Sequence, residues 1–133
     1  MRPMFLDTVG IIAVFDERDQ WHAAADSVYH RAIRQRRAFI TTELVLAECA
    51  NAASRKPYRH DIVFLRQSLA RASKIAQVTT IELENAWDIY SSFRSGSASV
   101  VDITSFIVMR RLKITDSFTN DSHFKAAGFL TLF

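Results

Sequence analysis

Glycine and proline are scarce in this chain, three and two among 133 residues. Their usual combined share is roughly 12 %, so hairpins must be few. An all-β sandwich is therefore excluded, and helices should dominate. There is a single cysteine, Cys49, which rules out an internal disulfide and any zinc site built on paired thiolates. A lone cysteine among apolar neighbours reads as a small buried hydrophobe. Long hydrophobic runs are also missing. The longest stretches free of Asp, Glu, Lys and Arg are Thr8–Phe15 and Ala126–Phe133, far short of the roughly 20 residues that span a bilayer. Asp7 interrupts the N-terminal apolar run, so no secretory signal is expected. These absences predict a soluble, cytoplasmic protein with no membrane partner.

What is present is the material for a core. Forty-nine per cent of the residues are apolar, with 10 Phe, 2 Trp and 3 Tyr, which excludes general disorder. The length predicts one domain over residues 1–133. The net charge of +3 permits a polyanionic partner without demonstrating one.

Short apolar runs alternate with longer helical patterns. Met4–Leu6, Ala38–Thr41, Ile75–Val78, Ser117–Thr119 and Phe129–Phe133 read as strands. Helical spacing begins at Gly10, then recurs through Ala25–Ile33, Leu44–Asn51 and Ile62–Ala72, each set placing apolar residues on one face. Thr41 or Thr42 can cap the third of these helices. Thr79 with Glu82, and Ser99 with Asp102, have capping-box spacing. Arg94–Ala98 reads as a loop, and His123–Ala127 as a short helix stopped by Gly128. The alternation predicts an α/β fold with a mostly parallel sheet. In such sheets ligands bind beyond the carboxyl ends of the strands.

Asp7, Glu48, Asp102 and Asp121 lie at or just past the strand-to-helix junctions, with Asp102 in the first turn of its helix. Converging carboxylates raise one another's pKa, and a hard divalent cation with a preference for oxygen relieves the repulsion. Each acid also has an ordinary alternative. Asp102 and Asp121 suit helix caps or first-turn positions, and Asp7 can cap the helix that starts at Thr8. Glu48 is harder to explain away, because Leu44–Ala47, Cys49 and Ala50 around it are apolar.

Phe5-Leu6-Asp7-Thr8, Thr41-Thr42-Glu43-Leu44-Val45-Leu46-Ala47-Glu48, Asp102–Met109 and Phe118-Thr119-Asn120-Asp121-Ser122-His123-Phe124 with the later Gly128-Phe129 resemble segments of PIN-domain proteins. The likeness is greatest to ribonuclease toxins of VapC type, and motif order matches over essentially the whole chain. The resemblance implies a three-layer α/β/α domain with a short, mostly parallel sheet and a Mg²⁺- or Mn²⁺-dependent endoribonuclease site. Asp7 and Asp102 would be the most direct metal ligands, with Glu48 and Asp121 completing the set directly or through water. It further implies an RNA substrate, a cognate antitoxin whose tail covers the active-site groove, and a homodimer. Val9 and Ser122 depart from the family pattern, but neither removes an acid.

Thr8 and Thr119 are candidates for supporting roles, against helix capping and strand propensity respectively. Arg110, Arg111 and Lys113 could track RNA phosphates, against the alternative of a solvated face. His123 follows the acids closely but reads as a surface residue. Trp21, Phe64, Trp87 and Phe93 are expected to pack the core or a subunit interface rather than stack on bases. Two other functions fit less well. A non-catalytic PIN-like binding module need not keep four mutually repelling acids, and a structure-specific DNA nuclease would use elements that this chain lacks.

Overall fold

A computed structural model describes residues 1–133. Strand β1 (Met4–Leu6) leads into helices α1 (Thr8–Phe15) and α2 (His22–Arg34). Strand β2 (Phe39–Thr42) runs directly into α3 (Glu43–Ala52), followed by α4 (Arg59–Arg71) and the short β3 (Ile75–Ala76). Then come α5 (Thr80–Ser91), α6 (Val100–Leu112), β4 (Asp116–Phe118), α7 (Ser122–Ala126) and β5 (Leu130–Thr131).

The five strands lie in the order β3-β2-β1-β4-β5, and every pairing is parallel. The sheet, expected to be mostly parallel, is wholly so. A parallel sheet has helices on both faces, so its central strand must be apolar on both sides. Met4, Phe5 and Leu6 are accordingly all fully buried. Around β1, Tyr29 stacks on Phe39 at 5.1 Å, while Phe118 meets both Tyr29 and Phe133. Helix α1 packs on α2 and α3, and α3 on α4; on the other side α5 packs on α6, which also touches α3 and α7. Gly10 is what lets α1 lie against β4, since a Cβ there would come within 2.1 Å of the Phe118 carbonyl oxygen.

Cap chemistry sets several boundaries. Thr42, rather than Thr41, caps α3; the Thr41 hydroxyl donates instead to the Leu6 carbonyl at 2.7 Å. Both capping boxes form, Thr79 with Glu82 and Ser99 with Asp102. Strand β3 ends at Ala76, two residues short of the expected Val78, as the chain turns toward the Thr79 cap. Strand β5 spans only Leu130–Thr131, not Phe129–Phe133, because Phe129 turns inward against Phe106 and Phe124. Of the two roles expected for four aromatics, the core or a subunit interface, the core is excluded. Trp21, Phe64, Trp87 and Phe93 are all exposed, Phe64 by 70 %. No helix is long and apolar enough to cross a membrane.

Candidate active site

The connection leaving β1 runs one way, to β2, and the connection leaving β4 runs the other way, to β5. The sheet's topological switch point therefore falls between β1 and β4, where open α/β sheets form a crevice beyond their carboxyl ends. Asp7 is the first residue past β1 and Thr119 the first past β4. They meet there, with the Thr119 hydroxyl donating to Asp7 Oδ2 at 2.8 Å.

Asp7 occupies the N-cap position of α1, yet its side chain makes no cap bond. It is turned into the crevice and almost wholly buried. Burial above all, with further contributions from the Asp102 and Asp121 charges, outweighs the Thr119 hydrogen bond and pushes its pKa up to about 7. Asp102, the third residue of α6, forms a reciprocal box with Ser99. It takes the Ser99 N–H on Oδ2 at 3.3 Å, while its own N–H donates to Ser99 Oγ at 3.1 Å. Its pKa is also raised, first by burial and then by the charges of Asp121 and Glu48.

Asp121 caps α7, accepting the His123 N–H on Oδ1 at 2.8 Å, and its own N–H donates to Thr119 Oγ1 at 3.1 Å. Glu48 comes from the second turn of α3, where the Thr8 hydroxyl donates to Oε1. Ligand atoms of Asp102, Asp121 and His123 lie within 4.8 Å of one another. Asp7 and Glu48 flank that group and are coupled to it through their charges.

One pattern runs through all four acids. Each has one carboxylate oxygen held by a donor of the chain, and the other has no protein partner. No lysine or arginine lies within 4.0 Å of any of them. No unbonded oxygen is sealed from solvent either. Four anchored carboxylates with their second oxygens free form an all-oxygen donor set, which suits a hard divalent cation. The two readings of Asp102 and Asp121 thus do not compete. Capping holds one oxygen and leaves the other for the crevice.

His123 belongs to this neighbourhood, contrary to its reading as a plain surface residue. Its Nδ1 lies 2.9 Å from Asp121 Oδ1 and its Nε2 3.0 Å from the Gly96 carbonyl oxygen. Its place two residues after an N-cap acid hints at the first contact. The second joins segments 27 residues apart, which sequence spacing cannot show.

Arg110, Arg111 and Lys113 are not brought to the acids. They end α6, whose first turn holds Asp102, so Arg111 stands about 13 Å farther along the helix axis. Arg111 Nε donates to Glu82 at 2.7 Å and its terminal nitrogen to the Gln77 carbonyl at 2.7 Å. Arg110 donates to the Ala127 carbonyl and lies over the Phe129 ring. Lys113 is the left-handed C-cap residue, φ 58°. Arg110 and Arg111 are tied to neighbouring elements, and Arg110 lines one cavity with Gly96 and His123.

A parallel α/β/α sheet with carboxylates gathered at its switch point is an arrangement suited to a hard divalent cation. Residues 4–130 match the PIN domain family, and the chain belongs to that family. It is 27 % identical over 128 residues to the 23S rRNA-specific endonuclease VapC20 of Mycobacterium tuberculosis, in both strain CDC 1551 / Oshkosh and strain H37Rv. The match covers 96 % of this chain and 95 % of the relative. The crystal structure of M. tuberculosis VapC20, described as a sarcin-ricin loop cleaving toxin, superposes with a TM-score of 0.77 at 26 % identity, covering 96 % of each chain.

Proposed function

We propose that this protein is a metal-dependent endoribonuclease that hydrolyses RNA phosphodiester bonds and serves as the toxin of a toxin–antitoxin pair. The observation that carries the reading is the set of four carboxylates, each anchored through one oxygen, none paired with a lysine or arginine, at the switch point of a PIN-family sheet. Asp7 and Asp102 would hold Mg²⁺ or Mn²⁺ most directly, with Glu48 and Asp121 completing the set. When bound, such an ion lowers the pKa of a coordinated water and offsets charge on the phosphodiester.

The chain's own residues prepare this. Thr119 fixes Asp7, Thr8 fixes Glu48, and Ser99 fixes Asp102, so each acid presents one defined oxygen. The buried Asp7 carboxyl is readily protonated in the metal-free protein, and a cation favours its ionised form. In the hydrolysis the water oxygen bonds to phosphorus and the bond to the 3′ oxygen breaks. A 5′-phosphate and a 3′-hydroxyl remain.

Residues 1–133 act as one nuclease unit in this reading, in the cytoplasm and under an antitoxin that covers the crevice. Exposed Ile81, Trp87, Tyr90 and Phe93, on α5 and just past its end, supply apolar surface suited to a homodimer. The test is cleavage of RNA, including a 23S rRNA fragment, beside single-stranded and branched DNA, with Mg²⁺, with Mn²⁺ and with chelator. Ion-dependent cutting confined to RNA is expected. Equal cutting of DNA would reject the substrate class, and no cutting of any strand would reject the enzyme.

A further inference from the structure

The four acids are not anchored in the same way. Asp7 and Glu48 are each held by a threonine hydroxyl, and Asp102 by a backbone N–H. Asp121 Oδ1 instead meets two groups of one residue, the backbone N–H of His123 at 2.8 Å and its ring Nδ1 at 2.9 Å. The backbone bond is the ordinary helix cap and any residue at position 123 would supply it. The ring contact is particular to His123. With both contacts on Oδ1, only Oδ2 of Asp121 remains without a partner.

The other ring nitrogen reaches out of α7 to the Gly96 carbonyl, in the segment joining α5 to α6. Gly96 has φ +89°, a left-handed turn that glycine adopts without strain. Three residues later Ser99 opens the box that holds Asp102. The imidazole therefore spans the two chain segments that deliver Asp121 and Asp102. These two acids and His123 itself form the group whose ligand atoms lie within 4.8 Å.

We propose that His123 is a positioning residue. It braces Asp121 against the α5–α6 connection, so that one oxygen of Asp121 and one of Asp102 are held at a fixed separation for a shared cation. The inference rests on the acids being a cation site, as proposed above, and adds a part that neither the threonines nor the caps supply. Removing an outer partner of this kind weakens metal affinity roughly 10- to 100-fold.

The experiment compares His123→Ala and His123→Asn with the wild type, using Mn²⁺ alone as the probe. Mn²⁺ affinity is measured by calorimetry and amide hydrogen exchange is followed over residues 94–98. The His123 side chain is 37 % exposed and the cap of α7 uses the backbone, so both variants should keep the fold. His123→Ala should lose Mn²⁺ affinity within the range given above, and residues 94–98 should exchange faster. The amide of His123→Asn can take the place of Nδ1 toward Asp121 but is too short to reach Gly96. It should recover most of the Mn²⁺ affinity while the loop stays fast. Wild-type Mn²⁺ affinity in His123→Ala overturns the proposal, and so does equal weakness in the two variants. A wild type that binds Mn²⁺ but cuts no RNA would count against the ribonuclease reading, and the Mn²⁺ series would still decide the role of His123.

Discussion

Asp7 and Asp116 are buried to the same degree, each 2 % exposed, at opposite ends of one sheet. Asp116 opens β4. Its Oδ2 meets Arg37 at 2.6 Å and its Oδ1 meets Arg2 at 3.3 Å, with the Thr115 hydroxyl donating to Oδ1 as well. Asp7 follows the last residue of β1, roughly 10 Å away along the strand direction. Its one side-chain donor is a hydroxyl, and its charged neighbours are two further carboxylates. A buried charge must be paired or it drifts toward neutrality. At the amino end of the sheet the chain supplies the cations itself and the result is a structural clamp. At the carboxyl end no lysine or arginine approaches the acids, and the unfavourable charge there would favour the ion proposed above.

The largest expected effect sharpens the carboxyl end. Asp7→Asn and Asp102→Asn each remove ligand charge with almost no change in size. RNA cleavage should fall by at least about 100-fold, since even outer partners of metal ligands are worth up to that much. Circular dichroism should be unchanged. Full activity in either variant would remove that residue from the site. At the amino end the loss should be in stability instead. Arg37→Ala removes the nearer of the two arginines on the buried Asp116 carboxylate, leaving Arg2 and Thr115, and should cost up to about 3 kcal/mol in urea unfolding. Cleavage per folded molecule should be unaltered. Arg37→Met combined with Asp116→Leu should regain most of the loss, because the buried charge is gone. An Arg37→Ala protein as stable as the wild type would mean that the two ends do not differ as described.

The two ends were not equally legible in the sequence. Strand–helix alternation placed the elements because few glycines and strong apolar periodicity left little choice, and the Thr79 and Ser99 boxes stand in consecutive residues. The acids were readable at strand ends and in the family motifs. Their anchoring was not, because Thr8–Glu48, Thr119–Asp7 and His123–Gly96 join residues 40, 112 and 27 positions apart. Nor was the Arg37–Asp116 clamp, whose partners stand 79 positions apart. Exposed Trp87 and Phe93 show the converse limit. Apolar residues on a helix mark a face to be covered, but the pattern does not say whether the cover is the chain's own core.

A metal-free pH titration probes the carboxyl end directly. Asp7 holds its proton more tightly folded than unfolded, with a pKa of about 7 against 3.8. Between those values the native state binds more protons, so the contribution of Asp7 to stability is fullest below pH 3.8 and is lost as pH rises to 7. Its upper bound is roughly 4 kcal/mol. Asp7→Asn should flatten this decline. Near neutral pH, Mn²⁺ at 100 times its Kd should return about 2.7 kcal/mol to the wild type, and less to Asp7→Asn at matched ionic strength. Equal Mn²⁺ gains in both would place the ion elsewhere.

The smallest effect concerns how RNA is gripped, and it asks whether the contrast between paired and unpaired charge extends to the arginines. Arg111 is engaged, its Nε 2.7 Å from Glu82, and this bond foremost lowers the Glu82 pKa. Arg94 has no acidic partner and sits two residues before Gly96, on the segment that His123 ties to the acid cluster. That segment borders the acid cluster through His123, whereas the end of α6 lies a helix length away from Asp102. Arg94→Ala should therefore weaken RNA binding and reduce the slope of log affinity against log salt by about 0.7. Arg111→Ala should leave the slope unchanged and lower the stability by on the order of 1 kcal/mol, the arginine of this pair being well exposed. Reversed results, a flattened slope for Arg111→Ala and none for Arg94→Ala, would return Arg111 to the RNA and show that its bond to Glu82 opens when substrate binds.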